Sequence, residues 1–149
     1  MAFNWRFNLS GGPPLVMPFQ FQDTETLTKG DLVNVNAGEI DLGATNDAGF
    51  AGEFLGAEDP ADESATSPGT VSGTDSTTWG LAIINPDAVY GVADGTTRLA
   101  GANLDIAGAT GAMTVATDSN SDIRVVKSKK AAADETLVII APGEHYLAE

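Results

Sequence analysis

The chain has one histidine, His145, beside Tyr146, and no cysteine. The missing thiols exclude a Cys nucleophile, a thiolate metal site, an iron–sulfur cluster and a disulfide scaffold together. A lone histidine four residues before the last position is a poor general base and reads as a surface or edge-strand residue. Asp118-Ser119-Asn120-Ser121-Asp122 sets oxygen-bearing side chains at alternate positions, as the start of a calcium loop does. An EF-hand loop then needs Gly where Ile123 stands and a bidentate Glu where Lys129 stands. The stretch therefore reads as a polar turn between two strands. A cation site of another kind is the alternative, there and at Glu58, Asp59, Asp62 and Glu63. Gly101, Gly108 and Gly111 have the wrong spacing for a dinucleotide fingerprint and read as turn glycines. Ser10 and Ser67 lie in no nucleophile elbow, and no phosphate-cradling Gly-x-x-x-x-Gly-Lys loop is present. The expectation is a chain without catalytic residues, metal or cofactor.

Charge narrows the partners. The 149 residues hold 7 basic and 21 acidic side chains, a formal net charge of -14. Residues 1 to 22 carry one Arg and no acid, 23 to 123 carry 2 basic and 17 acidic groups, and 124 to 149 carry 4 of each; the sums +1, -15 and 0 recover -14. An acidic middle repels phosphates, so nucleic acid is not expected as a partner. The strongly apolar run Leu137 to Ala141 is far shorter than the ~20 residues that cross a bilayer, and the N-terminus lacks a basic region followed by an apolar one. The chain reads as soluble, with no membrane partner and no classical secretion signal. Leu, Ile, Val and Phe number 11, 7, 10 and 6, or 34 of 149, while the apolar total is swelled by 22 alanines. Such a core is lean, and association is expected to supply part of the stability.

The elements that would position any site are strands. Leu27 to Val35 and Ile40 to Leu42 flank Asn36-Ala37-Gly38-Glu39, a hairpin signature, and Gly49 to Leu55 suits a returning strand. Gly56 to Thr78, with Val71 as its only large aliphatic residue, reads as a long surface loop or insertion. Strand signals resume at Trp79 to Ile84, Ala88 to Val92, Asn103 to Ala107, Ala112 to Thr117, Ile123 to Val126 and Leu137 to Ile140. Turn punctuation between short runs argues for an all-β sandwich or barrel. Lys127 to Glu135 has room for one helical turn, and no three-turn amphipathic helix appears.

Two features are open to a structural or an interaction reading. Phe3, Trp5 and Phe7, then Phe19 and Phe21, alternate with polar residues around a Ser10-Gly11-Gly12-Pro13-Pro14 break. Residues 1 to 22 read as an extended N-terminal arm ahead of a single β-rich domain, 23 to 149. Five exposed aromatics make a patch that soluble monomers rarely tolerate, so either the chain's own core or a partner covers them. Arg124, Lys127, Lys129 and Lys130 concentrate four of the seven basic residues in seven positions. They are either a solvated turn or a contact with an acidic neighbour, such as another copy of the chain.

From Glu25-Thr26-Leu27-Thr28-Lys29-Gly30-Asp31-Leu32-Val33-Asn34-Val35 to Gly38-Glu39-Ile40-Asp41-Leu42 the chain resembles the opening hairpin of small structural proteins from tailed bacteriophages. Gly80 to Tyr90, Gly101 to Gly108, Ile123 to Val126 and Leu137 to Ile140 are similar in order and spacing to capsid decoration (cement) proteins of that group. The resemblance covers roughly residues 20 to 147 and leaves 56 to 78 without a counterpart. It implies a small β-barrel or β-tulip-like domain, lambda-type in role. Such a protein is made in the host cytoplasm and sits as a homotrimer on the outer face of the virion head, clamping neighbouring copies of the major capsid protein. On that reading Phe3, Trp5, Phe7, Phe19 and Phe21 anchor the capsid. A carbohydrate-binding or adhesin module, with Trp79 and Tyr90 as stacking candidates that look more like core than platform, is the alternative. An all-β trimeric enzyme resembling nucleotide pyrophosphatases is a third class, and its phosphate contacts cannot be assembled from one stretch here.

Overall fold

The computed structural model describes residues 3–45, 47–73, 77–117, 120–128 and 134–147. It is nearly all β. The strands are β1 (Asn4–Asn8), β2 (Val16–Phe21), β3 (Thr26–Thr28), β4 (Leu32–Asn36), β5 (Glu39–Leu42), β6 (Phe50–Ala57), β7 (Thr70–Ser72), β8 (Trp79–Ile83), β9 (Ala88–Val92), β10 (Asn103–Ala107), β11 (Thr114–Thr117), β12 (Ile123–Val125) and β13 (Thr136–Ile140). A closed barrel runs β2-β5-β4-β6-β8, a six-stranded sheet runs β1-β9-β13-β12-β10-β11, and β3 with β7 forms a two-stranded ribbon. The all-β barrel expectation holds.

Period-two alternation explains how strands of the barrel feed two cores. On β4, Val33 and Val35 turn into the barrel, while Leu32 turns outward and joins Ile83, Phe50 and Tyr90 in a second core under the six-stranded sheet. β6 separates the two cores and is buried along nearly its whole length. Gly52 marks the tightest approach between them, since a Cβ there would stand 2.2 Å from the Tyr90 hydroxyl and 2.4 Å from the Ile83 carbonyl oxygen. The β4–β5 hairpin closes through Ala37 (φ 53) and Gly38 (φ 90), two left-handed residues in succession, as a tight two-residue turn requires.

The N-terminal segment is not an arm set apart from a body at residues 23 to 149. β1 pairs with β9, and β2 pairs with β8 from Val16↔Ile83 to Gln20↔Trp79 and with β5 at Gln20 and Phe21. The extended backbone is as read, but a register shift between Trp5 and Phe7 interrupts the alternation in β1, and the chain's own core covers Phe3 in the sheet and Phe19 and Phe21 in the barrel while Phe7 stays exposed. The Gly-Pro break lets one segment serve both.

The expected loop at 56–78 is more ordered than its composition suggests. Its first two residues complete β6, Pro60–Asp62 forms a 3-10 turn capped by Asp59, and β7 pairs with β3 over a fully buried Val71. Hydroxyl pairs, Thr26 with Ser72 and Thr28 with Thr70, each at 3.0 Å, hold a ribbon that hydrophobicity alone would not reveal. The helical turn read between Lys127 and Glu135 falls largely on 129–133, outside the described residues.

Candidate functional site

The acids that could do chemistry are occupied by backbone. Asp31, fully buried at the entry to β4, accepts from the N–H groups of Thr28 and Gly111, each at 2.8 Å, and from the Thr110 hydroxyl at 2.6 Å. Asp105 accepts the N–H groups of Asn120 (2.8 Å) and Ser121 (3.0 Å), and Asp122 accepts that of Ile106 (3.1 Å). The candidate calcium stretch is therefore a turn whose described acid, Asp122, points inward; Asp118 and Ser119 lie outside the described residues. Gly101, Gly108 and Gly111 all have positive φ, as turn glycines do. Buried carboxylates used this way satisfy donors that the turns leave over. Among the described residues no group of three or more His, Asp or Glu side chains is placed to hold a metal ion.

Glu53 and Tyr90 form the most perturbed pair of acids. Burial pushes the Glu53 carboxyl up to about 6, against the Trp5 N–H that it accepts and the nearby Arg6 guanidinium. Burial also raises the Tyr90 phenol, whose oxygen has no hydrogen-bond partner. Both side chains are closed off from solvent, so no reactant reaches them in this conformation.

His145 departs from its expected surface position: it is buried and bridges to Phe50. The backbone explains this, because the Glu144 carbonyl accepts the N–H groups of Gly49 and Phe50 and lays the C-terminal segment beside β6. Nδ1 accepts the Leu147 N–H at 3.1 Å, which leaves the proton of the neutral ring on Nε2. Burial lowers the pKa of this imidazole, which lines one side of an apolar cavity of about 320 Å³ with Pro86, Ile139 and Pro142.

The expected interaction residues divide. Of the arm aromatics, Phe3, Phe19 and Phe21 are buried, Trp5 is half-buried with its indole N–H on Asn8 (3.0 Å), and Phe7 remains 43% exposed. A capsid-anchoring role for the three buried rings is not compatible with this packing. In their place the segment exposes Leu9, Leu15, Val16 and Met17. The aromatic alternation drew attention away from these four. The unalternated run Leu15-Val16-Met17 after two prolines is the signal that marks three of them. Of the basic cluster, Arg124 is exposed with its Nε on Asn103 (3.1 Å), Lys127 is exposed beside a surface cavity of about 310 Å³ with Glu135 and Leu137, and Lys129 and Lys130 lie outside the described residues. Tyr90 is core, as expected of it, but Trp79 is 41% exposed and is not.

No family model and no curated protein matches this chain.

Proposed function

We propose that this chain is a structural protein of a tailed-phage virion, a capsid decoration protein that binds the outer face of the head and stabilises contacts between neighbouring major capsid subunits. The observation that carries the reading is the surface of residues 7 to 17. Phe7, Leu9, Leu15, Val16 and Met17 are all at least 40% exposed, within residues 1 to 22, the longest acid-free stretch of an acidic chain. Large apolar side chains left exposed in this way mark an association surface. Three further features support it: an all-β frame, carboxylates committed to holding turns, and an acidic remainder that keeps crowded copies apart. The protein acts as a homotrimer without catalysis, and trimerisation multiplies weak contacts through avidity.

The test is to add purified chain to heads lacking it and to follow heat resistance of the particles. Saturable binding that raises resistance supports the reading, and absence of binding overturns it. Exposure of Trp79 favours a second reading, a carbohydrate-binding module that stacks sugar on that ring. Saturable binding in a glycan panel, lost in Trp79→Ala, would favour it over decoration.

A further inference from the structure

The outward face of β2 and β8 carries more than an apolar patch. Residues paired directly across these antiparallel strands share a face, so Val16 with Ile83, Pro18 with Leu81 and Gln20 with Trp79 line up on the outside of the barrel, Ile83 being covered by the sheet core. Their neighbours Phe19, Ala82 and Gly80 face inward. Val16, Pro18 and Trp79 are exposed and Leu81 is partly so. Pro18 fits its place. The Phe21 N–H donates to Thr78 and the Ile84 N–H to the Leu15 carbonyl, so odd-numbered residues of β2 face β8. The missing N–H of Pro18 then falls on the opposite edge, where β2 has no paired strand until Gln20.

One end of this stripe is acidic. Glu58 donates its N–H to the Trp79 carbonyl at 2.8 Å, which sets it beside the indole, and Asp59 and Asp62 follow in the exposed 3-10 turn. No charged residue lies between 77 and 86, and Lys29 is engaged by Glu63, which follows the 3-10 turn, at 2.9 Å. The stripe is thus apolar from Val16 to Leu81, carries Gln20 opposite Trp79, and is negative at the Trp79 end.

We propose that this face binds a protein segment of complementary chemistry, with apolar side chains on the stripe and Lys or Arg side chains against Glu58, Asp59 and Asp62, and with Trp79 as the anchor where stripe and acidic rim meet. A second copy of the chain fits less well, because it brings another formal charge of -14 to an already negative rim. The inference stands whether or not the partner is a capsid subunit.

The probe is an extended peptide alternating Leu with Lys, compared with the same peptide carrying Glu for Lys. Trp79 emission reports binding, with Trp79→Phe used to subtract Trp5. The Lys peptide shifts the emission to shorter wavelength and the Glu peptide does not. Trp79→Ala and Val16→Ser, read by anisotropy of labelled peptide, each weaken binding, the former roughly ten- to thirtyfold, as loss of an aromatic hot spot does. The double reversal Glu58→Lys with Asp62→Lys abolishes it, while Glu144→Lys, remote in sequence, leaves it unchanged; unaltered circular dichroism checks each fold. The proposal is overturned if Glu144→Lys weakens binding as much as the rim reversal, which is attraction to net charge alone. It also fails if the peptide binds Trp79→Ala normally, if a glycan and not the peptide moves the emission, or if Trp79→Ala and Val16→Ser each lower the oligomer mass in light scattering, which would mean that a second copy fills the face.

Discussion

The carboxylate of Glu53, on a barrel strand, accepts the backbone N–H of Trp5, on the edge strand of the other sheet, so one buried acid ties the N-terminal strand to the barrel. Burial raises its pKa from 4.5 to about 6. The folded state therefore binds this proton more tightly than the unfolded state. The resulting stability is fully present below pH 4.5 and is lost as pH rises through about 6. The difference amounts to about 2 kcal/mol at most. Glu53→Gln keeps an acceptor for Trp5 and removes the charge. It is expected to be more stable than the parent at pH 7 and to lose this part of the slope between pH 4.5 and 6. Urea titrations of both proteins across that range check it, and identical slopes would refute it.

The same corner predicts a coupled pair. Gly52→Ala drives a methyl into the Tyr90 hydroxyl and the Ile83 carbonyl and should destabilise by about 1–3 kcal/mol or more. Tyr90→Phe removes a buried hydroxyl with no partner and should leave the melting temperature unchanged or raise it. The double substitution is expected to recover part of the Gly52→Ala loss. Additive effects in a double-mutant cycle would count against the contact.

Burial separates the N-terminal aromatics. Phe3→Ala and Phe21→Ala should each cost about 3–5 kcal/mol, whereas Phe7→Ala should change stability by about 0.5 kcal/mol or less. Chemical denaturation of the three variants measures this. Equal, small effects would mean that the segment is a detachable arm.

These contrasts mark what could be read without coordinates. The runs Ala88–Val92 and Asn103–Ala107 became β9 and β10 with unchanged bounds, because turn residues punctuate them on both sides. The alternation of Phe3, Trp5 and Phe7 reported extended backbone correctly, but period two is the same whether the greasy face meets a partner or a strand 80 residues away. The β3–β7 ribbon leaves little trace in the sequence because its one apolar pair, Leu27 with Val71, is flanked by hydroxyl pairs and Val71 is isolated in a polar stretch. Trp79 sat in an apolar run and looked buried. Its outward direction depends on register with Gln20, which no local pattern contains.

Asp31 offers a test of the clamp role given to the carboxylates. Asp31→Asn keeps the shape but supplies one acceptor oxygen for three donors, so a loss of about 1–3 kcal/mol is expected. Hydrogen exchange should quicken at the Gly111 amide. Unchanged exchange there would show that the carboxylate does not hold the turn.

The most direct test of the account is co-sedimentation of the purified chain with tailed-phage heads that carry no decoration protein. A decoration protein binds saturably, in copy numbers that are multiples of three, and restores heat resistance to the particles. A chain that stays in the supernatant at every concentration, on heads that recover no resistance, would contradict it.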